Sequence, residues 1–272
     1  MKNKSCVVIL SHSSYSDIWD ITLDSYNKFF NEDGFDFFIS SDLANHLHIE
    51  KAFAKGFKFI HYDKNITWGK SLKQTMNFLI KNDYESVLFS FDDLVLLKPI
   101  KKPIFPLIKF MEINQVNYLQ LKNGYRSILS FDSLFFNNTF HKVSEDDSYK
   151  GSLVFSIFRK SLLKILVEIE DLEYYNPWDY ERNIHNFLKF EDFYCLPKSI
   201  IKFSNIIIKG KIDPVQLKFV ENKNKVKYSG YRNLMSIKET LFFQLKYILF
   251  YFTRNFLTKR LFTRLRQLKN KS

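Results

Sequence analysis

Cysteine is scarce in this sequence, with two residues among 272. Cys6 lies in an apolar stretch typical of a first β-strand, which is a poor position for a disulfide framework with Cys195. Disulfides persist in oxidising compartments and are rare in the cytosol. The cysteine content therefore argues against a disulfide-built secreted fold and favours the cytoplasm.

Glycine is also rare, with seven residues, and no glycine-rich loop follows the first apolar stretch. Phosphate-binding loops need such glycines because their backbone must approach the phosphates closely. Trp68-Gly-Lys-Ser71 looks like the end of a P-loop, but the earlier glycine of that motif is missing at the required spacing. A Walker-type nucleotide site is excluded on this ground.

Apolar runs long enough to cross a membrane are absent too. Residues 1–10 combine a basic start with an apolar run that stops at Ser11, without a small-residue cleavage site, so they predict a strand rather than a signal peptide. Residues 241–252 are almost wholly apolar, yet a membrane-spanning helix needs about 20 such residues. We expect this second run to lie on a surface.

The net charge of +12 is that of a nucleic-acid-binding protein at first sight. Its distribution argues otherwise, because residues 238–272 carry nine Lys or Arg and one Glu, which leaves about +4 for the rest of the chain. A protein that grips a phosphate backbone spreads its charge over the folded surface, and no nucleic-acid recognition motif is present. We therefore expect no nucleic-acid partner.

The apolar pattern predicts an α/β domain. Strands at 7–10, 35–39, 57–60 and 87–91 alternate with helices at 16–30 and 68–80, which indicates a largely parallel sheet. The later part of the chain predicts helices at 107–113, 161–169 and 177–188, strands at 116–121, 130–136, 153–158, 193–196 and 200–208, and polar loops at 137–150 and 209–231.

Two adjacent carboxylates, Asp92 and Asp93, follow the most apolar of these strands. A carboxylate buried at a strand end without a partner costs several kcal/mol, roughly, so a partner is expected. Carboxylate oxygens suit Mg²⁺ or Mn²⁺, and the carboxyl edge of a parallel sheet is where ligands bind. Adjacent aspartates also begin turns and cap helices, and the local sequence leaves that alternative open.

Five motifs carry a resemblance that covers most of residues 5–212: Ser11-His-Ser-Ser-Tyr-Ser-Asp-Ile-Trp19, Trp68-Gly-Lys-Ser71, Ser90-Phe91-Asp92-Asp93, Pro177-Trp-Asp-Tyr-Glu181 and Ile208-Lys-Gly-Lys211. On these motifs the sequence resembles bacterial GT-A-fold glycosyltransferases that build surface polysaccharides such as capsule and lipopolysaccharide. In that family an Asp-x-Asp motif at a strand end binds the metal and the diphosphate of a nucleotide sugar. The family's first acidic position falls on Phe91 here.

The resemblance implies a GT-A-like, Rossmann-like domain over residues 1–237, with a mostly parallel sheet flanked by helices, followed by an amphipathic basic tail at 238–272. It implies transfer of a sugar from a nucleotide sugar, most often UDP-linked, to a hydroxyl of a glycan or lipid-linked glycan, with Mn²⁺ or Mg²⁺ as cofactor. Inversion is favoured because a single displacement needs a positioned base. Two alternatives stay open: a sugar nucleotidyltransferase, and a non-catalytic, membrane-associated glycan-binding or scaffold protein.

The resemblance also implies site residues. Asp93, helped by Asp92, is the expected metal ligand. Plain structural roles are the alternative for most of the donor-site candidates, since a loop histidine is usually polar surface and an aspartate after a strand often starts a helix. In the same way a tryptophan packs in the core and a lysine is solvated. The donor-site candidates are Ser11, His12, Asp17, Ser41, Asp42, Trp68, Lys70 and Asp92.

Glu181 is the candidate general base for the acceptor hydroxyl, with Asp179 as the second choice. Asn176 and Pro177 have the pattern of a helix start, and a capping box is enough to explain Asp179. It does not explain Glu181, and the resemblance places an acidic residue of the acceptor site here.

The end of the chain predicts an interfacial helix. Leu257, Leu261, Leu265 and Leu268 recur at helical spacing, with basic residues between them. We expect a cytoplasmic protein bound peripherally, through this tail, to the anionic inner face of the cell membrane. The alternative is that residues 241–252 pack on the domain and only the end is a solvated tail. The basic residues of the stripe are Lys259, Arg260, Arg264, Arg266, Lys269 and Lys271.

Overall fold

The computed structural model describes residues 4–30, 32–42, 46–123, 140–143, 151–188 and 193–256. The strand expected at 130–136, most of the loop expected at 137–150 and the leucine and basic stripe after residue 256 lie outside these ranges.

The first third of the chain alternates strands and helices as its apolar pattern predicts. The helix expected from residue 16 begins as a 3-10 helix at Ser13–Ile18. One helix was not predicted, because Ala52 is the only buried residue in His46–Ala54 and so no apolar stripe marks it. The elements are β1 (Lys4–Leu10), α1 (Trp19–Phe29), β2 (Phe35–Asp42), α2 (His46–Ala54), β3 (Lys58–Tyr62), α3 (Trp68–Lys81) and β4 (Tyr84–Phe91).

The rest of the described chain mixes both strand directions. Its elements are β5 (Leu94–Leu96), α4 (Phe105–Ile113), β6 (Tyr118–Asn123), β7 (His141–Lys142), β8 (Ser156–Arg159), α5 (Lys160–Glu168), α6 (Pro177–Asn183), β9 (Phe193–Leu196), β10 (Phe203–Asn205), β11 (Ile207–Ile208), β12 (Lys211–Ile212), α7 (Pro214–Asn224) and α8 (Ile237–Phe256).

The prediction of a polar loop at 209–231 is wrong, because β12 and α7 lie within these residues. The buried Asp213 starts α7 by accepting hydrogen bonds from the amides of Val215 and Gln216 at 2.9 and 3.3 Å. The helix buries a narrow stripe that includes Leu217 and Val220, which is too little apolar surface to stand out in the sequence. Three other boundaries also differ: the strand at 153–158 begins only at 156, the helix at 177–188 ends at 183 before a 3-10 helix, and the strand at 200–208 is two short strands.

The main sheet has eight strands in the order β3-β2-β1-β4-β8-β6-β9-β7. β3, β2, β1 and β4 are mutually parallel, and β6 and β9 run in the same direction, whereas β8 is antiparallel to β4 and β6, and β7 to β9. The predicted mostly parallel α/β fold is therefore confirmed. The carboxyl ends of β1 to β4 meet along one margin of the sheet, called the carboxyl edge below, and the reversed strand β8 begins at that same margin.

Helices cover both faces of the sheet. One apolar core contains buried residues of α1, α2 and α4, and the other contains buried residues of α3, α5 and α6. β1 illustrates the alternation that separates them, because Val7 and Ile9 pack into the first core and Cys6 and Val8 into the second. This two-sided burial fixes the strand register and with it the positions of the residues that follow each strand end.

Candidate active site

The loop after β1 is held against the neighbouring strand ends. The amide of Ser11 donates to the carbonyl of Ser40 at 2.8 Å, and the hydroxyl of Tyr62 donates to the carbonyl of Ser11 at 2.6 Å. On the other side, the amide of Asp92 donates to the carbonyl of Leu10 at 3.2 Å. The carboxyl ends of β1 to β4 therefore form one continuous polar site.

Asp42, the last residue of β2, is buried and shapes the loop that carries His12. Its two oxygens accept from the Ser13 amide at 2.6 Å and the Ser13 hydroxyl at 2.7 Å, and Ser41 adds a third bond at 3.2 Å. Burial alone would raise the pKa of Asp42, but these donors and the nearby His12 outweigh it, so the pKa lies below its ordinary value. Asp42 is thus a loop anchor in this structure, and its predicted contact with a ribose stays a prediction.

His12 points its ring outward from this loop. The amide of Ser14 donates to Nδ1 at 3.1 Å, which makes Nδ1 the acceptor nitrogen. Nε2 then carries the proton and lies 3.6 Å from Asp42 Oδ2. Because 57% of the side chain is exposed, His12 can meet a ligand above the strand ends.

Asp92 and Asp93 form the turn after β4. Asp92 is buried and accepts a hydrogen bond from the hydroxyl of Ser11, which in turn accepts from Trp19 Nε1 at 2.8 Å. Burial raises the pKa of Asp92 well above its usual range, and the neighbouring charge of Asp93 raises it further. Burial also raises the pKa of Asp93. A bound cation would stabilise two adjacent ionised carboxylates in this environment.

The carboxylates of Asp92 and Asp93 suit a cation that binds together with a nucleotide. Among the described residues, no group of three or more His, Cys, Asp or Glu side chains converges as a metal cage. Phe91, at the position of the family's first acidic residue, packs against both cores and supplies no ligand. Mg²⁺ is commonly bound by one or two carboxylates together with substrate phosphates and waters. Asp92 and Asp93 fit that arrangement.

Asp17 forms an ion pair with Arg232 that the sequence did not indicate. Its side chain is fully buried, and it lies 2.8 Å from Nη2 of Arg232, whose side chain is 12% exposed. Nε of Arg232 and the hydroxyl of Tyr228 donate to the second oxygen of Asp17, at 3.2 and 2.7 Å. Arg232 also donates to the carbonyl of Ser14 and lies over the ring of Tyr15, 4.4 Å from its centroid.

This cluster ties the segment 228–236 to the loop after β1. The predicted contact between Asp17 and a nucleotide stays a prediction, since both of its oxygens have partners within the chain. Arg232 could not be found from sequence because 215 residues separate it from Asp17 and it directly follows the stretch predicted as a polar loop.

We expect Arg232→Met to lower the free energy of unfolding by about 3 kcal/mol, because it leaves a fully buried carboxylate without its charged partner. Urea denaturation measures this loss. Lys211→Met is the matched control, since Lys211 and Glu239 form an exposed pair 2.8 Å apart that should contribute less than about 1 kcal/mol. Similar small losses in both variants would contradict a structural role for the Asp17–Arg232 pair.

The motif Trp68-Gly-Lys-Ser71 begins α3 and packs on residues 170–175. The ring of Trp68 lies 5.8 Å from that of Tyr180, and Lys70 Nζ is 3.8 Å from Glu173. Gly69 is required for this packing, because a Cβ there would lie 1.8 Å from the carbonyl oxygen of Leu172. The described contacts of Trp68 and Lys70 are therefore structural, and their predicted contacts with the donor stay predictions.

Glu181 lies on α6, whose start follows the predicted cap. Asn176 accepts from the amides of Trp178 and Asp179 at 2.9 and 3.0 Å, and Pro177 is the first helical residue. Tyr180 is buried in the core, which fixes the rotation of the short helix. The half-buried Glu181 accepts from the hydroxyl of Ser152 at 2.9 Å.

The strand directions place Glu181 at the carboxyl edge. Ser152, which bonds Glu181, precedes β8 by four residues. Its backbone carbonyl accepts a hydrogen bond from the hydroxyl of Tyr118 at 3.0 Å. Because β8 is antiparallel to β4, with Ser156 opposite Phe89, the beginning of β8 lies where β4 ends. Glu181, through its bond with Ser152 ahead of β8, and the Asp92–Asp93 pair after β4 therefore belong to the same margin of the sheet.

Comparisons with solved structures support the fold. S. aureus TarS 1-349 matches with a TM-score of 0.50 and 19% identity, over 74% of this chain and 59% of TarS 1-349. Its complex with UDP-GlcNAc matches with a TM-score of 0.50 and 17% identity, over 81% of this chain and 66% of that one. The chain thus spans less than two thirds of the length of TarS 1-349, and at this identity the match shows a shared fold.

Two further structures match with TM-scores below 0.5. WbbM, described as a bifunctional glycosyltransferase, has a TM-score of 0.43 and 12% identity, over 86% of this chain and 47% of WbbM. A cytidylyltransferase from Leptospira borgpetersenii has 0.45 and 14%, over 72% of this chain and 76% of that one. No protein-family model and no curated protein sequence matches the chain. The two TarS matches confirm the predicted GT-A-like fold.

Proposed function

We propose that this protein is a glycosyltransferase that moves a sugar from a nucleotide sugar to a hydroxyl of a glycan or lipid-linked glycan in cell-surface polysaccharide synthesis. One observation carries the proposal: the buried carboxylates Asp92 and Asp93 and the acceptor-side candidate Glu181 lie at the same margin of a GT-A-type sheet. This is the margin where ligands of parallel α/β sheets bind.

The donor would bind above the ends of β1 to β4. His12 is an exposed polar group of this loop, and Asp42, Ser13 and Ser41 hold the loop in place. UDP is the favoured nucleotide because the fold is shared with TarS, whose structure holds UDP-GlcNAc. A Mn²⁺ or Mg²⁺ ion on Asp93 and Asp92 would neutralise the charge that develops on the departing nucleoside diphosphate.

The acceptor would bind beside α6. Glu181 would accept the proton of the acceptor hydroxyl. At the same time the oxygen of that hydroxyl would bond to the anomeric carbon, and the bond from that carbon to the diphosphate oxygen would break. The hydroxyl of Ser152 holds one carboxylate oxygen of Glu181 and orients the other. A base that faces the attacking hydroxyl favours a single displacement, and hence inversion at the anomeric carbon.

The test is a screen of donor hydrolysis across nucleotide sugars with Mn²⁺ and with Mg²⁺, because transferases release sugar to water at a low rate. We expect UDP release from at least one UDP-sugar. A nucleotidyltransferase would instead release pyrophosphate from a nucleoside triphosphate and a sugar phosphate. A purely glycan-binding protein would release nothing from any donor and show no thermal shift with UDP. Either of these last two results would overturn the proposal.

A further inference from the structure

The surface of α8 is inverted relative to that of an ordinary surface helix. Such a helix turns its apolar residues toward the core and its polar residues toward water. Seven large apolar residues of α8 are 59–80% exposed, which leaves a wide apolar surface facing away from the protein. These residues are Ile237, Leu241, Phe242, Leu245, Tyr247, Ile248 and Leu249.

Six of the seven form one face. At about 100° per residue, all of them except Tyr247 fall within an arc of about 140° around the helix axis. We call this arc the apolar face of α8. Its width is that of a helix face that normally packs against a core.

The opposite face of α8 contacts the domain. Thr240 is buried, Gln244 donates to Asp213 at 3.1 Å, and Glu239 pairs with Lys211 at 2.8 Å. Phe243 lies under the ammonium of Lys209, 5.6 Å from the ring centroid. These contacts fix the rotation of the helix, so its apolar face points outward. The sequence-based alternative that this run packs on the domain is therefore wrong for the apolar face.

The charge around the apolar face selects its partner. Lys238 and Lys246 lie in α8, and the sequence after Leu249 adds seven Lys or Arg without an acidic residue. A second copy of the chain would bring two such basic segments together, which is unfavourable. An anionic lipid surface offers negative headgroups for the basic residues and acyl chains for the apolar face. No helix among the described residues is long and apolar enough to cross a membrane.

We propose that α8 docks this protein on an anionic membrane, with its apolar face at the boundary between headgroups and acyl chains. The helix begins five residues after Arg232, which is bonded to Ser14 and Asp17 beside the loop after β1. Docking would therefore hold the carboxyl edge at a fixed position relative to the membrane. Within the proposed function, that geometry suits an acceptor carried on a lipid; the docking itself does not depend on the reaction.

The test is flotation of the full chain with phosphatidylcholine vesicles, with and without phosphatidylglycerol. We expect flotation with the vesicles that contain phosphatidylglycerol. Flotation should be weaker at high salt, and weaker with vesicles of phosphatidylcholine alone. The triple variant Leu241→Gln, Leu245→Gln and Ile248→Gln should lose at least about tenfold in bound fraction, because glutamine keeps helix propensity while it removes the apolar face. The matched control is Ile113→Gln, Ile165→Gln and Val215→Gln, which removes three apolar side chains that are 50–70% exposed from other helices and should float like the unaltered chain.

Three results would overturn the proposal. The unaltered chain could fail to float with anionic vesicles, or the triple variant could float as well as the unaltered chain. Light scattering could also find a dimer that the triple variant converts to a monomer, which would assign the apolar face to a second copy. Flotation needs no catalysis, so a failed donor screen and a failed flotation are separate outcomes.

Discussion

Replacing Glu181 with glutamine should lower the rate of sugar transfer by about 10²–10⁴-fold, which is the usual contribution of a positioned general base. The hydroxyl of Ser152 can still donate to the amide oxygen of glutamine, so the fold and the position of the side chain should be preserved. Donor affinity should change little, because the proposed role of Glu181 is on the acceptor side. Steady-state kinetics with donor and acceptor varied separately measures the effect as a fall in kcat.

Asp179→Asn is the matched control for this prediction, because it makes the same chemical change two residues earlier on α6. We expect it to keep most of the transfer rate and to lower stability by at most about 1 kcal/mol if Asp179 supports the helix start. The reverse ranking, with transfer lost in Asp179→Asn and kept in Glu181→Gln, would give the base role to Asp179. Ser152→Ala should lower kcat less than Glu181→Gln, since it removes only the group that orients the carboxylate.

Asp93→Asn should abolish the increase in UDP affinity that Mn²⁺ produces, a loss of more than about 10²-fold. Removing a ligand should cost more than the 10–100-fold that is typical when only a supporting group of a metal site is removed. Asp93 is the less buried of the two carboxylates and follows β4 directly after Asp92. Calorimetric titration of UDP with and without Mn²⁺ measures the change.

Asp83→Asn is the control at the other end of the same strand. The Asp83 side chain is 77% exposed and pairs with Lys160 at 2.6 Å, so its loss should leave nucleotide affinity unchanged. If UDP affinity in the presence of Mn²⁺ is the same in Asp93→Asn as in the unaltered chain, the metal site has been assigned to the wrong residues.

The parallel half of the fold follows from local sequence. The strands β1, β2 and β4 are short apolar runs with buried residues on both faces, and α3 carries an apolar stripe, so periodicity alone predicts them. The same pattern places Asp92 and Asp93 at a strand end. Helices such as α2 and α7 bury few apolar residues, and no periodic signal marks them.

The site depends on contacts that periodicity does not record. The bond from Ser152 to Glu181 and the pair of Asp17 with Arg232 join residues 29 and 215 positions apart. Nothing near Arg232 distinguishes it from the other basic residues of the chain. The rotation of α8 is another such case, because the sequence predicts an apolar run and only the contacts of Thr240 and Gln244 decide which way it faces.

The pair of Asp17 with Arg232 also has a consequence for the order in which the protein is completed during synthesis. Residues made first, in the loop after β1, are bonded to a residue made 215 positions later. The chain leaves the ribosome from its N-terminal end, so β1 to β4 are made long before Arg232 exists. The loop that carries His12 gains its last support only when segment 228–236 closes over it. A chain made only up to residue 231 therefore lacks this support, and α8, which begins five residues after Arg232, is made directly afterwards.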